Sequence, residues 1–372
     1  MSICLACLAP VAYAHSLPAG FSGFENPAAC GACHKAIYEE WSGSMHAKSS
    51  KFGDPVHSAV YEAYAKTMTA SGKTPGYFCA SCHTPTADNI AALMKGEAMP
   101  DPSNPSNVRG ATCSFCHKAE GLVEGERFST YRFTEGIKGP DVDSKAPHGA
   151  VYSGFAATYK VCLGCHGFMT NSKGGVICSM NDEGVSDCLS CHMQEVDGVP
   201  ASGSQKSRHF YHGIYGAHDP AMLKKGATVS LKVEAGKLLV VLENPNPHFF
   251  PSTNPLRVSF YKLEVFDATG KRLYANFEKD PSEDPKAMMV KLFKAGDKVG
   301  VPTWEAEGVA KDTRLTSKEE RVVPYDMPAG AARATVKLFY RFAPPQAIEK
   351  FGIPADGTVE KPQLVSEAEI KL

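Results

Sequence analysis

Five times between residues 30 and 192 the chain repeats one pattern, two cysteines separated by two residues and followed at once by histidine. The copies are Cys30-Gly-Ala-Cys33-His34, Cys79-Ala-Ser-Cys82-His83, Cys113-Ser-Phe-Cys116-His117, Cys162-Leu-Gly-Cys165-His166 and Cys188-Leu-Ser-Cys191-His192. Two thiols three residues apart on one helical turn reach both vinyl groups of a single porphyrin as thioethers. The adjoining imidazole then points at the iron as its proximal ligand. Zinc ribbons take such pairs in twos, which leaves one over, and have no use for a histidine after each second cysteine. Disulfides explain neither the uniform spacing nor the histidines. Cys4-Leu-Ala-Cys7 is an internal control, with the pair spacing but Leu8 in the ligand's place. The expectation is five covalently bound haem c groups, attached through Cys30, Cys33, Cys79, Cys82, Cys113, Cys116, Cys162, Cys165, Cys188 and Cys191. His34, His83, His117, His166 and His192 are the expected proximal iron ligands.

The spacing of the motifs shapes the fold. First cysteines at 30, 79, 113, 162 and 188 show no regular repeat, and short helical stretches at Ala36–Ser42 and Val60–Met68 alternate with loops such as Met99–Gly110. About 40 residues for each haem cannot build an ordinary apolar core. The porphyrins must supply it, so the apoprotein is expected to be unfolded.

All 13 cysteines lie at or before Cys191. The apolar start ending in Ala12-Tyr-Ala14 reads as a signal peptide over 1–14, cleaved before His15, and its missing basic n-region suggests a true start further upstream. Cys7 fits a lipid-anchor site poorly. No later segment approaches the ~18 apolar residues of a membrane helix. A periplasmic or extracellular protein is expected, with residues 15–225 as a pentahaem domain and 226–372 as a second domain.

Thirteen histidines less five proximal ones and His15 leave seven for the irons' other faces: His46, His57, His148, His209, His212, His218 and His248. Iron with two imidazoles is low-spin and suited to electron transfer. His46 lies just over one helical turn beyond Trp41. His212 and His218 flank a Gly-rich turn, where backbone approaches closely. His148 follows Pro147 in a loop ahead of the fourth motif, and His248 lies in the second half. His57 and His209 are spares.

From Ala227 the pattern becomes alternating strands, at Thr228–Val233, Leu238–Glu243, Val258–Phe266 and Ala334–Phe342, with turns at Glu234-Ala-Gly236 and Asp267-Ala-Thr-Gly270. The fold class is α+β: a haem-dense, mostly helical and loop-rich N-terminal module followed by an immunoglobulin-like β-sandwich. Residues 15–219 carry 16 Lys+Arg against 20 Asp+Glu, while 220–372 carry 23 against 20. An oxidised haem with both propionates ionised contributes about −1, which takes the first part to about −9. Partners of the haem half should therefore be basic or salt-sensitive. Neither balance suggests nucleic acid.

These residues resemble the multihaem c-type cytochromes with a cytochrome c-552/4-like haem domain, relatives of the tetrahaem acceptor of hydroxylamine oxidoreductase and of pentahaem nitrite reductase. The likeness rests on Cys30–His46 with its Trp-x-x-Ser-x-His tail, on Val108-Arg-Gly-Ala-Thr-Cys113-Ser-Phe-Cys116-His117, and on Cys188-Leu-Ser-Cys191-His192-Met193. In the second half, Asn244-Pro-Asn-Pro-His248-Phe-Phe-Pro251 and Asp312-Thr-Arg-Leu315 with Glu319 look like the β-domain that often follows such modules. The resemblance implies bis-histidine haems with His46, His148, His212, His218 and His248 as distal ligands. The nitrite reductases place Lys as proximal ligand at the catalytic haem; all five motifs here end in His, which weakens that carry-over. The expected function is electron relay between redox partner proteins in respiration. The alternatives are a multihaem reductase or oxidase of a small nitrogen or sulfur compound with one open haem, and a subunit of an extracellular cytochrome assembly, a homo-oligomer joined through haem or β-domain faces. Cys178, left unmatched, reads as a buried free thiol.

Overall fold

The computed structural model describes residues 15–140, 146–185, 187–252 and 254–372. The signal-peptide reading of 1–14 lies outside them. The fold is α+β, and among the described residues no helix is long and apolar enough to cross a membrane.

In the first half each motif sits on a helical turn. The amide N–H groups of His34, His83 and His192 donate to the carbonyls of Cys30, Cys79 and Cys188, each at 2.9 Å. The motif helices are short, as in Ala80–His83, Leu163–His166 and Leu189–His192. The two longest helices contain the two stretches expected from sequence. Lys35–Gly43 follows the first motif, and Pro55–Ala70 begins a turn earlier than Val60. That earlier start has a local cause: Asp54 caps it by accepting the N–H groups of Val56 and His57, and Pro55 occupies the first turn, where its missing N–H costs nothing. Within the loop at 99–110, Asn104 caps a single turn over Pro105–Val108.

Two-stranded ladders interleave with these helices. Ala119–Val123 pairs with Thr130–Phe133, and Ile137–Gly139 with Ala150–Tyr152. The first half has no single core. Tyr61, Tyr77 and Leu93 centre one cluster, and Phe115, Tyr131 and Phe133 another.

Two of the antiparallel sheets in the second half share one core. Thr228–Glu234, Lys237–Glu243 and Glu320–Asp326 form one sheet, with Lys237–Glu243 in the middle. Val258–Phe266 pairs with Arg333–Arg341, which pairs in turn with Gln363–Lys371, while Arg272–Ala275 and Met288–Met289 flank Val258–Phe266. Alternate residues of both sheets point into one core, including Leu238, Val240, Leu242, Tyr261, Leu263, Val336 and Leu338. The turn expected at 234–236 places Ala235 and Gly236 at φ of 49° and 72°.

A third sheet, Lys298–Val299 with Lys291–Ala295 and Gly308–Asp312, was not anticipated from sequence. It lies near the first half, where Asn171 Nδ2 donates to the carbonyls of Thr303 and Ala306, both at 2.6 Å.

Candidate haem sites

Four of the five motif histidines face a second imidazole across a nearly constant gap. Ring centres are 6.1 Å apart for His34 and His148, 6.1 Å for His46 and His166, 6.3 Å for His117 and His212, and 6.3 Å for His192 and His248. A metal bound to two imidazole nitrogens at about 2.0–2.1 Å, with ring centres about 1.2 Å further back, separates those centres by roughly 6.5 Å, a few tenths of an ångström more than the gaps seen. The gaps therefore fit an iron between each pair.

Hydrogen bonds orient the same rings. Nδ1 of His34 lies 2.7 Å from the Pro200 carbonyl, that of His83 2.9 Å from Ser49 and that of His117 2.5 Å from Lys138, while His192 bonds the Tyr215 carbonyl. On the facing side, His212 bonds the Phe210 carbonyl at 2.6 Å and His248 that of Phe249 at 3.0 Å. A ring that donates through Nδ1 keeps Nε2 unprotonated and aimed away, the tautomer a metal needs. Burial acts in the same direction. It lowers His83, His117, His166 and His248, and brings His46 and His212 to about 4, with nearby imidazoles adding to the effect for both.

The second motif differs. His57 stacks flat on His83, with centres 3.8 Å apart and planes at 10°, too close for an iron between them. Its Nε2 is already engaged with the Tyr77 hydroxyl at 2.9 Å. His218 packs on Phe342 at 4.3 Å. The other spare, His209, uses both nitrogens, with Nδ1 at the Gly198 carbonyl and Nε2 at Glu40, each 2.9 Å away.

Close packing of the attachment points fixes where small residues are required. The thiols of Cys30 and Cys113, of Cys82 and Cys165, and of Cys162 and Cys188 are near enough to shift one another's pKa. The Cys113 contact lowers Cys30 to about 7. A Cβ on Gly110 would stand 2.1 Å from the His46 carbonyl, so only glycine admits the irregular segment that leads into the third motif. There Ala111 N–H donates to His46 at 2.9 Å and the Trp41 indole N–H to Ala111 at 2.9 Å. Gly164, inside the fourth motif, lies against the Tyr131 ring, whose hydroxyl donates to the Val161 carbonyl at 2.6 Å.

Among the described residues no cysteine, of the motifs or Cys178, is joined in a disulfide. Among the described residues no three His, Cys, Asp or Glu converge as a single zinc ion would require. Cys178 donates to the backbone carbonyl of His166 at 3.4 Å, and burial raises its pKa.

Sequence reasoning missed Glu40 and Glu183. Glu40 meets His209 and the His212 amide, and Glu183 meets Arg314 and the Phe249 amide. Their partners lie 66 to 172 residues away, so no local pattern marks them.

Residues 29–121 match the family described as cytochrome c554 and c-prime. The chain is also similar to a solved structure, a penta-heme cytochrome c552 from Thermochromatium tepidum. The two share 27% identity over 92% of this chain and 97% of that one, with a TM-score of 0.76. No curated protein matches. The motifs, the family match and this structural likeness make the chain a multihaem c-type cytochrome. Haem c is its cofactor.

Proposed function

We propose that the protein carries five haem c groups and relays electrons between redox partner proteins in the periplasm or outside the cell, as part of respiration. Bound haem supplies one-electron chemistry at iron, with a potential tuned by axial ligands, burial and nearby charge. The protein's own residues do the rest. The five cysteine pairs attach the groups, and the motif histidines hold the irons on the proximal side. His148, His46, His212 and His248 close the opposite faces at the first, fourth, third and fifth motifs. The observation that carries this reading is the set of four imidazole pairs 6.1–6.3 Å apart. Three contacts between motif thiols support a connected relay, because they bring attachment edges together. Residues 15–225 form the pentahaem domain, and 226–372 an immunoglobulin-like sandwich that donates His248.

A second reading has one specific observation in its favour. With His57 stacked on His83 and His218 packed on Phe342, the second motif's iron is the one that lacks a facing imidazole. On this reading it binds a small nitrogen or sulfur compound, and the protein is a reductase or oxidase. Optical and EPR spectra of the oxidised protein separate the two. Four low-spin centres are expected on either reading. A fifth that is high-spin and shifts with nitrite, hydroxylamine or sulfite establishes the second, and His218→Ala then leaves it unchanged. A fifth that is low-spin and unresponsive, but becomes high-spin in His218→Ala, establishes the pure carrier with His218 as the fifth distal ligand. Fewer than four low-spin centres would refute the ligand assignment itself.

A further inference from the structure

Two of the facing histidines are presented by loops that arrive from far away in sequence, His212 after the fifth motif and His248 from the second half. Each loop is held by a carboxylate from the first half, in the same arrangement. Glu40, on the helix that leaves the first motif, accepts the His212 backbone N–H through Oε2 at 2.8 Å and receives His209 Nε2 on Oε1 at 2.9 Å. Glu183, between the fourth and fifth motifs, accepts the Phe249 backbone N–H through Oε2 at 3.0 Å and receives Arg314 Nη1 on Oε1 at 3.3 Å. In both cases one oxygen fixes the main chain at the distal histidine or the residue after it, and the other is held by a cationic or protonatable side chain.

The surroundings make these contacts strong. The side chains of Glu183 and Arg314 are 3% and 5% exposed, and that of His209 is 4% exposed. Arg314 is held in turn by Asp312 at 2.8 Å and lies 4.8 Å over the Phe249 ring. Charge-assisted bonds away from water are strong, and they fix geometry because removing one partner strands the other. Neither glutamate bonds a ring nitrogen of His212 or His248. Each acts on the backbone that aims the ring.

We propose that Glu40 and Glu183 are positioning residues, each setting the pose of one distal imidazole: Glu40 that of His212 opposite His117, and Glu183 that of His248 opposite His192. This rests on the bis-imidazole reading above. The device resembles the outer-shell partners of metal ligands, whose loss loosens a site without removing a ligand.

The test compares oxidised spectra of the intact holoprotein in Glu40→Ala, Glu40→Gln, Glu183→Ala, Glu183→Gln, His212→Ala and His248→Ala. Each histidine variant should convert one haem in five to high-spin. If neither does, the ligation reading itself fails. If they do, Glu40→Ala and Glu183→Ala should each convert a substantial fraction of one haem and leave the other four unmoved, and added imidazole should restore the low-spin signal. The Gln variants keep an oxygen acceptor and should show a smaller high-spin fraction. Histidine variants that convert one haem alongside glutamate variants identical to wild type would overturn the brace alone. A glutamate variant that perturbs all five haems together with the melting temperature would also overturn it, since that is loss of fold.

Discussion

Residues 226–372 bury Leu238, Val240, Tyr261, Leu263, Val336 and Leu338 completely in one shared core, whereas residues 15–225 place most of their buried apolar side chains in a cluster about Tyr61 and Tyr77 and a second about Phe115 and Tyr131. The sheets of the second half close their backbone hydrogen bonds among themselves. In the first half four motif histidines each face a second imidazole 6.1–6.3 Å away. The difference teaches where the folding free energy originates: in the second half from the sequence, in the first from what the sequence attaches. Apolar burial at roughly 25 cal/mol per Å² needs a continuous interior to accumulate, and only one half has it.

The largest expected effect follows from that contrast. Made without haem, the chain should keep a folded second half and lose its first. Residues 226–372 expressed alone should melt cooperatively, while the haem-free full chain should show one transition and extensive proteolysis before about residue 220. Limited proteolysis with near-UV circular dichroism checks this. A haem-free first half that resists protease would show that its two small clusters suffice.

The junction comes next. Glu183 and Arg314 form a buried ion pair between the halves, and Asp312 also holds the arginine. Arg314→Met strands Glu183 and should cost about 3–5 kcal/mol, whereas removing both partners by Glu183→Gln with Arg314→Met should recover part of it. Thermal unfolding of the single and double variants measures the coupling; additive losses would mean that the pair does not act as a unit.

Different parts of this architecture were legible in the sequence to different degrees. The motifs were plain because thioether attachment forces cysteines and ligand onto one turn. Strands such as Val258–Phe266 were plain because their burial alternates, with Lys262 and Glu264 less buried between Tyr261, Leu263 and Val265. The facing histidines could be counted but not paired by spacing, since His46 meets the fourth motif and His148 the first. His218 looks as suitable in sequence as His212, and only its packing on Phe342 sets it apart, while His57, a spare in sequence, stacks on His83. Arg314 stood out within Asp312-Thr-Arg-Leu315, but its partner Glu183 lay 131 residues away. Lys298–Val299 and its neighbours are too short and too exposed to alternate visibly.

A pH experiment sharpens the comparison further. Beyond His218 the only histidine is His248, so titration near neutrality falls almost wholly on the first half. Burial depresses His46, His212 and His218 to about 4 from 6.5. At these three histidines the folded state binds fewer protons than the unfolded one between those values, so their contribution to stability should be level above about pH 7 and fall as pH drops from 6.5 to 4. Unfolding monitored in the haem bands should show this slope. The isolated second half should lack most of it, and an equal slope there would refute the assignment to first-half histidines.

The smallest expected effect separates the two braces. Burial opposes protonation of His209, but the Gly198 carbonyl and Glu40 outweigh it, so its pKa is raised. The protonated pair is fully present below 6.5 and is lost as pH rises through the higher folded value. Arg314 keeps its charge throughout. Between pH 6 and 9 the centre at His117 and His212 should therefore change in EPR line shape or potential while that at His192 and His248 stays still, and His209→Gln should abolish the change. Equal movement of both centres would mean that the response comes from a source other than His209, such as the propionates, since a permanent charge cannot titrate in this range.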